Sequence, residues 1–325
     1  MPDDRHAAFG VIDIGSNSVR LVVFDIADGY PVPLFNDRVF CSLGRGVGET
    51  GSLSQEGRDS ALHTITRYVG IAEQLGVGRL ELVATAAIRD ARNGPKFAEQ
   101  LRQATGRPVS VISGEEEARL AARGVAFGAP GADGLVGDLG NGSLELVELA
   151  DGEIRNMVSL PIGSLRILSQ FKGDLVAARK EAIRRLSELP WLKRMQGRAF
   201  YPVGGSWRTL CRIHMEQEQA PLHIIHSYSI KGAAAAEFAD FVANLGTQTL
   251  SRIPNVQSRR VETIPISAAI LGAVLATAKP AQVVFSAAGI REGLVVDRVD
   301  PAELAEDPLV AAAAALAARD GRAGD

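Results

Sequence analysis

The sequence predicts an α/β fold made of two copies of one unit, each with three strands followed by alternating helices and strands. Three observations predict it. A ten-residue stretch occurs twice, as Asp13-Ile14-Gly15-Ser16-Asn17-Ser18-Val19-Arg20-Leu21-Val22 and as Asp138-Leu139-Gly140-Asn141-Gly142-Ser143-Leu144-Glu145-Leu146-Val147, with five of ten positions identical. Each copy follows an apolar run and leads into another, so each reads as strand, tight turn, strand. The order of elements after the first copy then recurs after the second.

In chain order, residues 8–26 form the first predicted hairpin and Pro31–Leu43 a third strand, which ends in the loop Gly44–Gly48. Ser54 can cap a helix reaching Leu75, with Leu62, Ile65, Val69 and Ala72 on one stripe. Leu80–Thr85 reads as strand, Ala98–Ala104 as helix, Val109–Ile112 as strand and Gly114–Arg123 as helix. The Gly/Pro/Ala run Phe127–Gly134 reads as a linker. Leu135–Leu149 is the second hairpin, and Glu153–Leu160 is its third strand. Asp174 can cap a helix over Leu175–Leu189 that Pro190 stops. Phe200–Val203 reads as strand, and a helix follows from Ser206. Lys231–Leu245 and Pro265–Ala278 read as helices, and Val283–Phe285 as strand. Asp307 and Pro308 can open an Ala-rich helix over Leu309–Ala318, with a frayed tail beyond. A duplicated βββαβαβα unit is the ribonuclease-H-like, or actin-like, architecture: two lobes with a ligand cleft between them. The expected domains are residues 1–126, residues 127–298, and a C-terminal helix within 299–325 that packs back on the first domain.

Composition excludes several classes. The formal net charge of −3 invites no nucleic acid, and no apolar run approaches a membrane span of about 20 residues. Cys41 and Cys211 lack metal-ligand spacing and fit a reducing cytosol. No signal-peptide pattern opens the chain, so the expected location is cytoplasmic.

The repeated turns carry the chemistry. A Gly/Asn/Ser turn points backbone N–H groups and a hydroxyl into one concavity that suits phosphate. Asp13 and Asp138 each end a strand just before such a turn, where a carboxylate can cap its own loop or hold Mg²⁺. In Ser113-Gly114-Glu115-Glu116-Glu117, Ser113 and Glu116 match a capping box and Glu115 reads as solvated. Glu117 lies about 100° round the helix from Glu116 and has no structural task, so it is the candidate general base. Thr85 and Arg89 present a hydroxyl and a guanidinium after a strand. Arg89 can grip phosphate or pair with Asp90 or Glu117 as scaffold. Gly204-Gly205-Ser206 is a further phosphate-sized turn, and Ser286–Gly293 is a similar small-residue stretch. Glu145 reads as a strand residue facing solvent. His223 with His226 and the run Arg179–Arg185 read as ordinary surface residues, while Arg259-Arg260 can line a groove.

Together these stretches, with Thr85–Asn93, Ile112–Leu120, Pro161-Ile162-Gly163-Ser164-Leu165-Arg166, Gly204–Arg208 and Gly289-Ile290-Arg291-Glu292-Gly293, resemble the exopolyphosphatase/guanosine pentaphosphate phosphohydrolase (Ppx/GppA) family in its short two-domain form. The likeness covers about residues 8–295 in the family's order. It implies an actin-like (ASKHA) fold, Mg²⁺, and removal of terminal phosphate from inorganic polyphosphate or from pppGpp. It also suggests a homodimer. By position it makes Glu117 the catalytic base and Asp138 and Glu145 further catalytic acids. It makes Gly15, Ser16, Asn17, Ser18 and Gly140, Asn141, Gly142, Ser143 the phosphate loops. The expectation is that Arg20, Arg89, Thr85, Gly204 and Gly205 meet phosphate and that Asp13, Asp138 or Glu145 meets the metal. Two departures stand out. Asn141 takes the middle place of a loop that usually has three glycines, where its side chain would take up cleft space, and Leu144 replaces a common threonine. The rival readings are a non-catalytic sensor of polyphosphate or (p)ppGpp and an actin-like kinase, the latter without an adenosine-binding signature beyond Gly204-Gly205.

Overall fold

The apolar runs flanking the first turn form β1 (Phe9–Ile14) and β2 (Ser18–Asp25), paired antiparallel with Asp13 opposite Arg20. The meander continues into β3 (Val32–Phe40), while β4 (Arg79–Ala84) and β5 (Val109–Val111) add in parallel on the other side. The sheet order is β3-β2-β1-β4-β5. Around it lie α1 (Val47–Thr50), α2 (Gln55–Gln74), α3 (Ala86–Asp90) and α4 (Gly94–Thr105). Ser54 caps α2 by accepting from the Gly57 N–H at 3.1 Å, and the helix buries Ala61, Ile65, Tyr68 and Val69 against Ile12, Ile14 and Leu21. The computed structural model describes residues 8–26, 30–254, 256–299, 304 and 307–319.

The second unit repeats the plan. After α5 (Gly114–Gly128), β6 (Gly134–Leu139), β7 (Leu144–Ala150) and β8 (Glu153–Leu160) form the meander. They are followed by α6 (Ser164–Phe171), α7 (Leu175–Ser187), β9 (Ala199–Val203) and α8 (Gly205–Gln217). Then come β10 (Ser229–Lys231), α9 (Gly232–Ala243), α10 (Thr247–Leu250), α11 (Ile264–Ala278) and β11 (Gln282–Val284). The sheet order β10-β11-β9-β6-β7-β8 reproduces the first sheet from the β8 end, with β10 as an added antiparallel edge. Even the irregularities match: β2 shifts register on β3 between Val23 and Phe24, and β7 on β8 between Glu148 and Leu149. The core of this unit is α11, apolar on every side and buried along nearly its whole length, with α7, α8 and α9 packed round it. Trp207 is fully buried edge-on to Phe200 and donates from Nε1 to the Ser267 carbonyl at 3.0 Å.

The fold is thus the duplicated α/β fold that the repeat predicts, with differences at the joins. One unit comprises Met1–Ser113 with Ile290–Asp325, and the other Gly114–Gly289. The sequence reading places the first boundary at residue 126, but α5 belongs with the second sheet. Its Ala118, Ala122 and Val125 pack with Val136, Val147 and Tyr201. The second boundary falls at residue 289 instead of 298 because Ile290 opens α12 (Ile290–Arg298), which sits with β1. The last helix, α13 (Pro308–Arg319), is capped as predicted, with the Val310 N–H donating to Asp307 Oδ1 at 3.1 Å. Its expected frayed tail lies outside the described residues. The short α6 and β10 and the helical turn α3 have no counterpart in the sequence reading. They are too brief for periodicity to register.

One polar network fixes the open end of the β6–β7 pair, away from its turn. Arg198 binds Asp133, the Leu149 carbonyl at 2.5 Å and Glu148 at 3.4 Å, while Glu148 also accepts from Arg194 at 2.7 Å and Asn156 at 2.6 Å. Burial alone would raise the Glu148 carboxyl, but the bonds from Arg194 and Asn156 and the charges of Arg194 and Arg198 hold it below its usual value. The bond from Arg198 lowers Asp133 in the same way. Lowered carboxyls stabilise the fold above their unfolded-state values and lose that contribution as pH falls through them. Arg198→Ala is therefore expected to lower stability by about 2 kcal/mol at pH 7. The gap to wild type should narrow below about pH 4. Urea unfolding across pH measures both, and a gap independent of pH would contradict the assignment.

Candidate active site

The second hairpin places Asp138, Glu145 and Ser159 in one cross-strand row across β6, β7 and β8. Glu145 is 1% exposed, which corrects the reading of it as solvent-facing. The strand β7 lies inside the sheet and is buried along Leu144–Leu149, so the in–out alternation of a half-exposed strand does not apply to it. Ser159 Oγ donates to Glu145 Oε1 at 2.7 Å, and the Ser143 hydroxyl lies near enough to favour the charged carboxylate. Glu145 Oε2 is buried without a hydrogen-bond partner. Burial first, then the nearby charges of Glu117 and Asp138, push the Glu145 carboxyl well above its usual range, against the two hydroxyls.

The three acids that open α5 have different surroundings, and Glu116, expected in a capping box with Ser113, pairs with Arg119. Glu115 is exposed, and Glu116 takes a two-pronged bond from Arg119 at 2.8 Å on each oxygen. Glu117 is turned inward and buried beside Glu145. Asp138 is also buried, and its Oδ1 lies only 2.8 Å from where a side chain at Gly204 would begin. Gly204 adopts φ 98°, which favours glycine, so the turn into α8 can lie against that carboxylate. Beyond it, the Arg260 guanidinium occupies the space above Gly205 at the start of α8.

The turn Gly140–Ser143 is tied from both ends. The Gly140 N–H donates to the Ser143 carbonyl at 3.0 Å, and the Ser164, Leu165 and Arg166 N–H groups donate to the Gly140 and Asn141 carbonyls at 3.0–3.1 Å. Among the described residues, no hydrogen bond engages the N–H groups of Asn141, Gly142 and Ser143, so they remain available to an anion. The Asn141 side chain, expected to crowd this space, instead has Oδ1 accepting from Ser164 Oγ at 3.2 Å.

The first unit ties its own turn in the same way. The Gly15 N–H donates to the Ser18 carbonyl at 3.1 Å, Gly44 to Ser16 at 2.6 Å, and Cys41 and Ser42 to Asn17 at 3.0 Å. Asp13, at the place equivalent to Asp138, accepts from Arg291 Nη1 at 2.8 Å, so one of its oxygens serves an ion pair. Arg20 donates to Asn36 Oδ1 at 2.8 Å. Thr85 is buried at the start of α3, where its carbonyl accepts from Ile88 and Arg89. Arg89 reaches Asp90 at 3.3 Å, one of the partners the sequence offered, and the Ile112 carbonyl at 3.1 Å. Among the described residues, no three acidic, histidine or cysteine side chains gather closely enough to cage a cation.

Sequence reasoning missed Ser159 and Arg291. The repeat could have pointed to Ser159 through register, but a straight count from the turn, without the shift at Glu148/Leu149, sets Val158 opposite Glu145 instead. Arg291 carried no signal for Asp13, 278 residues away.

A sheet order repeated in both halves, with the same turn after the first strand of each, defines the class of duplicated ribonuclease-H-like α/β folds. Residues 22–302 match the model of the Ppx/GppA phosphatase family, and the chain belongs to that family. Exopolyphosphatase 1 of Mycobacterium tuberculosis is 33% identical over 168 residues, 51% of this chain and 49% of that protein. The corresponding Mycobacterium leprae protein is 32% identical over the same length. The chain thus matches about half the length of these curated relatives. The crystal structure of the Aquifex aeolicus Ppx/GppA family member aligns with TM-score 0.75 and 28% identity, covering 90% of this chain and 97% of that one. An exopolyphosphatase from Cytophaga hutchinsonii shares the fold with TM-score 0.82 at 23% identity, covering 90% and 99%.

Gly163 gives a direct test of the turn's support. A Cβ there would overlap the Ser143 nitrogen and the carbonyl carbons of Asn141 and Gly142. Gly163→Ala is expected to cost about 1–3 kcal/mol and to weaken phosphate binding by at least about tenfold. Calorimetric titration with inorganic phosphate checks this, and unchanged affinity would show that the contact does not shape the site.

Proposed function

We propose that the chain is an exopolyphosphatase that releases terminal orthophosphate from inorganic polyphosphate. The observation that carries this reading is the buried group Glu117, Asp138 and Glu145 beside the free N–H groups of Asn141–Ser143. Family membership and the exopolyphosphatase relatives support it. Glu117 takes a proton from a water, and the water oxygen attacks the terminal phosphorus. The bridging P–O bond breaks, and the shortened chain leaves with the electron pair as a phosphate oxyanion. The turn's N–H groups meet the charge on the equatorial oxygens, and little covalent work falls to the protein.

The residues fit Mg²⁺. Glu145 keeps a buried oxygen without a partner in an acidic surrounding, which a cation would satisfy, and Asp138 stands opposite it in register. Mg²⁺ is commonly held by one or two carboxylates together with substrate phosphates and waters, so no cage of three acids is needed. Glu145 and Asp138 would hold it, and when bound it would neutralise phosphate charge. Asp13, with Arg291 on one oxygen, is the weaker candidate. The family also covers guanosine pentaphosphate phosphatases in name, so pppGpp is the natural second substrate to assay.

Phosphate release from long-chain polyphosphate, pppGpp and ATP, with Mg²⁺ and with EDTA, tests the reading. Release from polyphosphate above the other two, abolished by EDTA, is expected. Retained binding without release from any of them would identify a sensor instead. Glu117→Gln is expected to lower turnover by roughly 10²–10⁴-fold while leaving polyphosphate affinity intact. Equal turnover would remove Glu117 from the role of base.

A further inference from the structure

We propose that Ser159 is a positioning residue, whose hydroxyl fixes one oxygen of Glu145 so that the other is kept for the divalent cation of the phosphatase reaction. The inference rests on the function proposed above and concerns a residue that neither reading of the sequence had singled out. Ser159 Oγ donates to Oε1 at 2.7 Å from the directly opposed position on β8. Oε2 has no hydrogen-bond partner although Glu145 is 1% exposed. A carboxylate anchored through one oxygen and bare on the other presents a single fixed lone-pair direction, as residues behind metal ligands commonly arrange. Without the anchor, the side chain could turn to satisfy its bare oxygen elsewhere, for instance on the nearby Ser143 hydroxyl.

The internal repeat argues that the hydroxyl is not simply a requirement of the fold. In the first unit the corresponding row reads Asp13, Arg20 and Arg38. In the second it reads Asp138, Glu145 and Ser159. The same sheet positions accept a guanidinium where serine stands, so the strand geometry does not demand a small hydroxyl there. Serine accompanies the acid. The bland alternative is that Ser159 only satisfies a buried polar atom and contributes to stability alone.

Calorimetric titration of Mg²⁺ into the full chain, without substrate, separates the two for wild type, Ser159→Ala, Ser159→Thr and Ser159→Cys. Melting temperatures and steady-state kinetics on polyphosphate are measured in parallel. Ser159→Ala is expected to bind Mg²⁺ about 10–100-fold more weakly. At saturating Mg²⁺ it should lose kcat with KM for polyphosphate held within about twofold. Ser159→Thr, which keeps the hydroxyl, should restore affinity, and Ser159→Cys, similar in shape but a weak donor, should lie between. Wild-type Mg²⁺ affinity in the alanine variant would overturn the proposal. So would equal weakening in the alanine and threonine variants, or a wild type that binds no Mg²⁺. Weakened Mg²⁺ binding in Ser159→Ala alongside a wild type that releases no phosphate from polyphosphate would sustain the role of Ser159 and refute the substrate.

Discussion

Burying like charges together is the constraint on which the second unit's design turns. Glu117, Asp138 and Glu145 are all buried, and each isolated ionised carboxylate taken from water costs several kcal/mol. Two serine hydroxyls offset part of this at Glu145 and leave one oxygen unserved. A cation at the unserved Glu145 oxygen would offset more of that cost. The neighbouring turn, with its free N–H groups, has the opposite preference and favours an anion. A cation-bearing polyanion answers both demands at once.

The duplication shows how one scaffold came to hold two different chemistries. Both turns are closed by the same glycine-to-serine backbone bond and tied by N–H groups from the segment after the third strand. Both tying segments place a glycine where a side chain would strike the turn, Gly44 against Ser16 and Gly163 against the loop backbone. The turn scaffold is therefore common, and the charge on the adjoining cross-strand row differs. The first unit couples its acid to Arg291 and lines up arginines, while the second lines up acids and a serine. The symmetric pair of ligand-binding turns that the sequence suggests is, at the level of charge, complementary.

The fold was legible because its signals are local. Apolar runs around Gly/Asn/Ser turns, Ser54 and Asp174 as caps, and the repeated order of elements all act over a few residues, and each corresponds to an observed element. That Glu117 faces a different side of its helix from Glu116 was legible from spacing alone. Glu145 was not, because alternation along a strand assumes one wet face and β7 has none. Neither was the Asp13–Arg291 pair, which depends on a helix returning to β1 from the far end of the chain. The ownership of α5 was misjudged for a related reason: a linker composition marks where a chain bends, not which sheet a preceding helix covers.

The register shift between Glu148 and Leu149 divides the β7–β8 hairpin into two segments of different register. Beyond it lies a surface turn at Asp151-Gly152, where insertions and substitutions change only the tip. On the near side, the pairing that sets Ser159 against Glu145 is insulated from such changes. Were the strands to pair straight through with no shift, Val158 would stand opposite Glu145 and Ser159 would face the other side of the sheet. The irregularity thus acts as a buffer between a part of the chain free to drift and a part that is not. The matching shift at Val23/Phe24 in the first unit implies that this buffer was present before the two halves diverged.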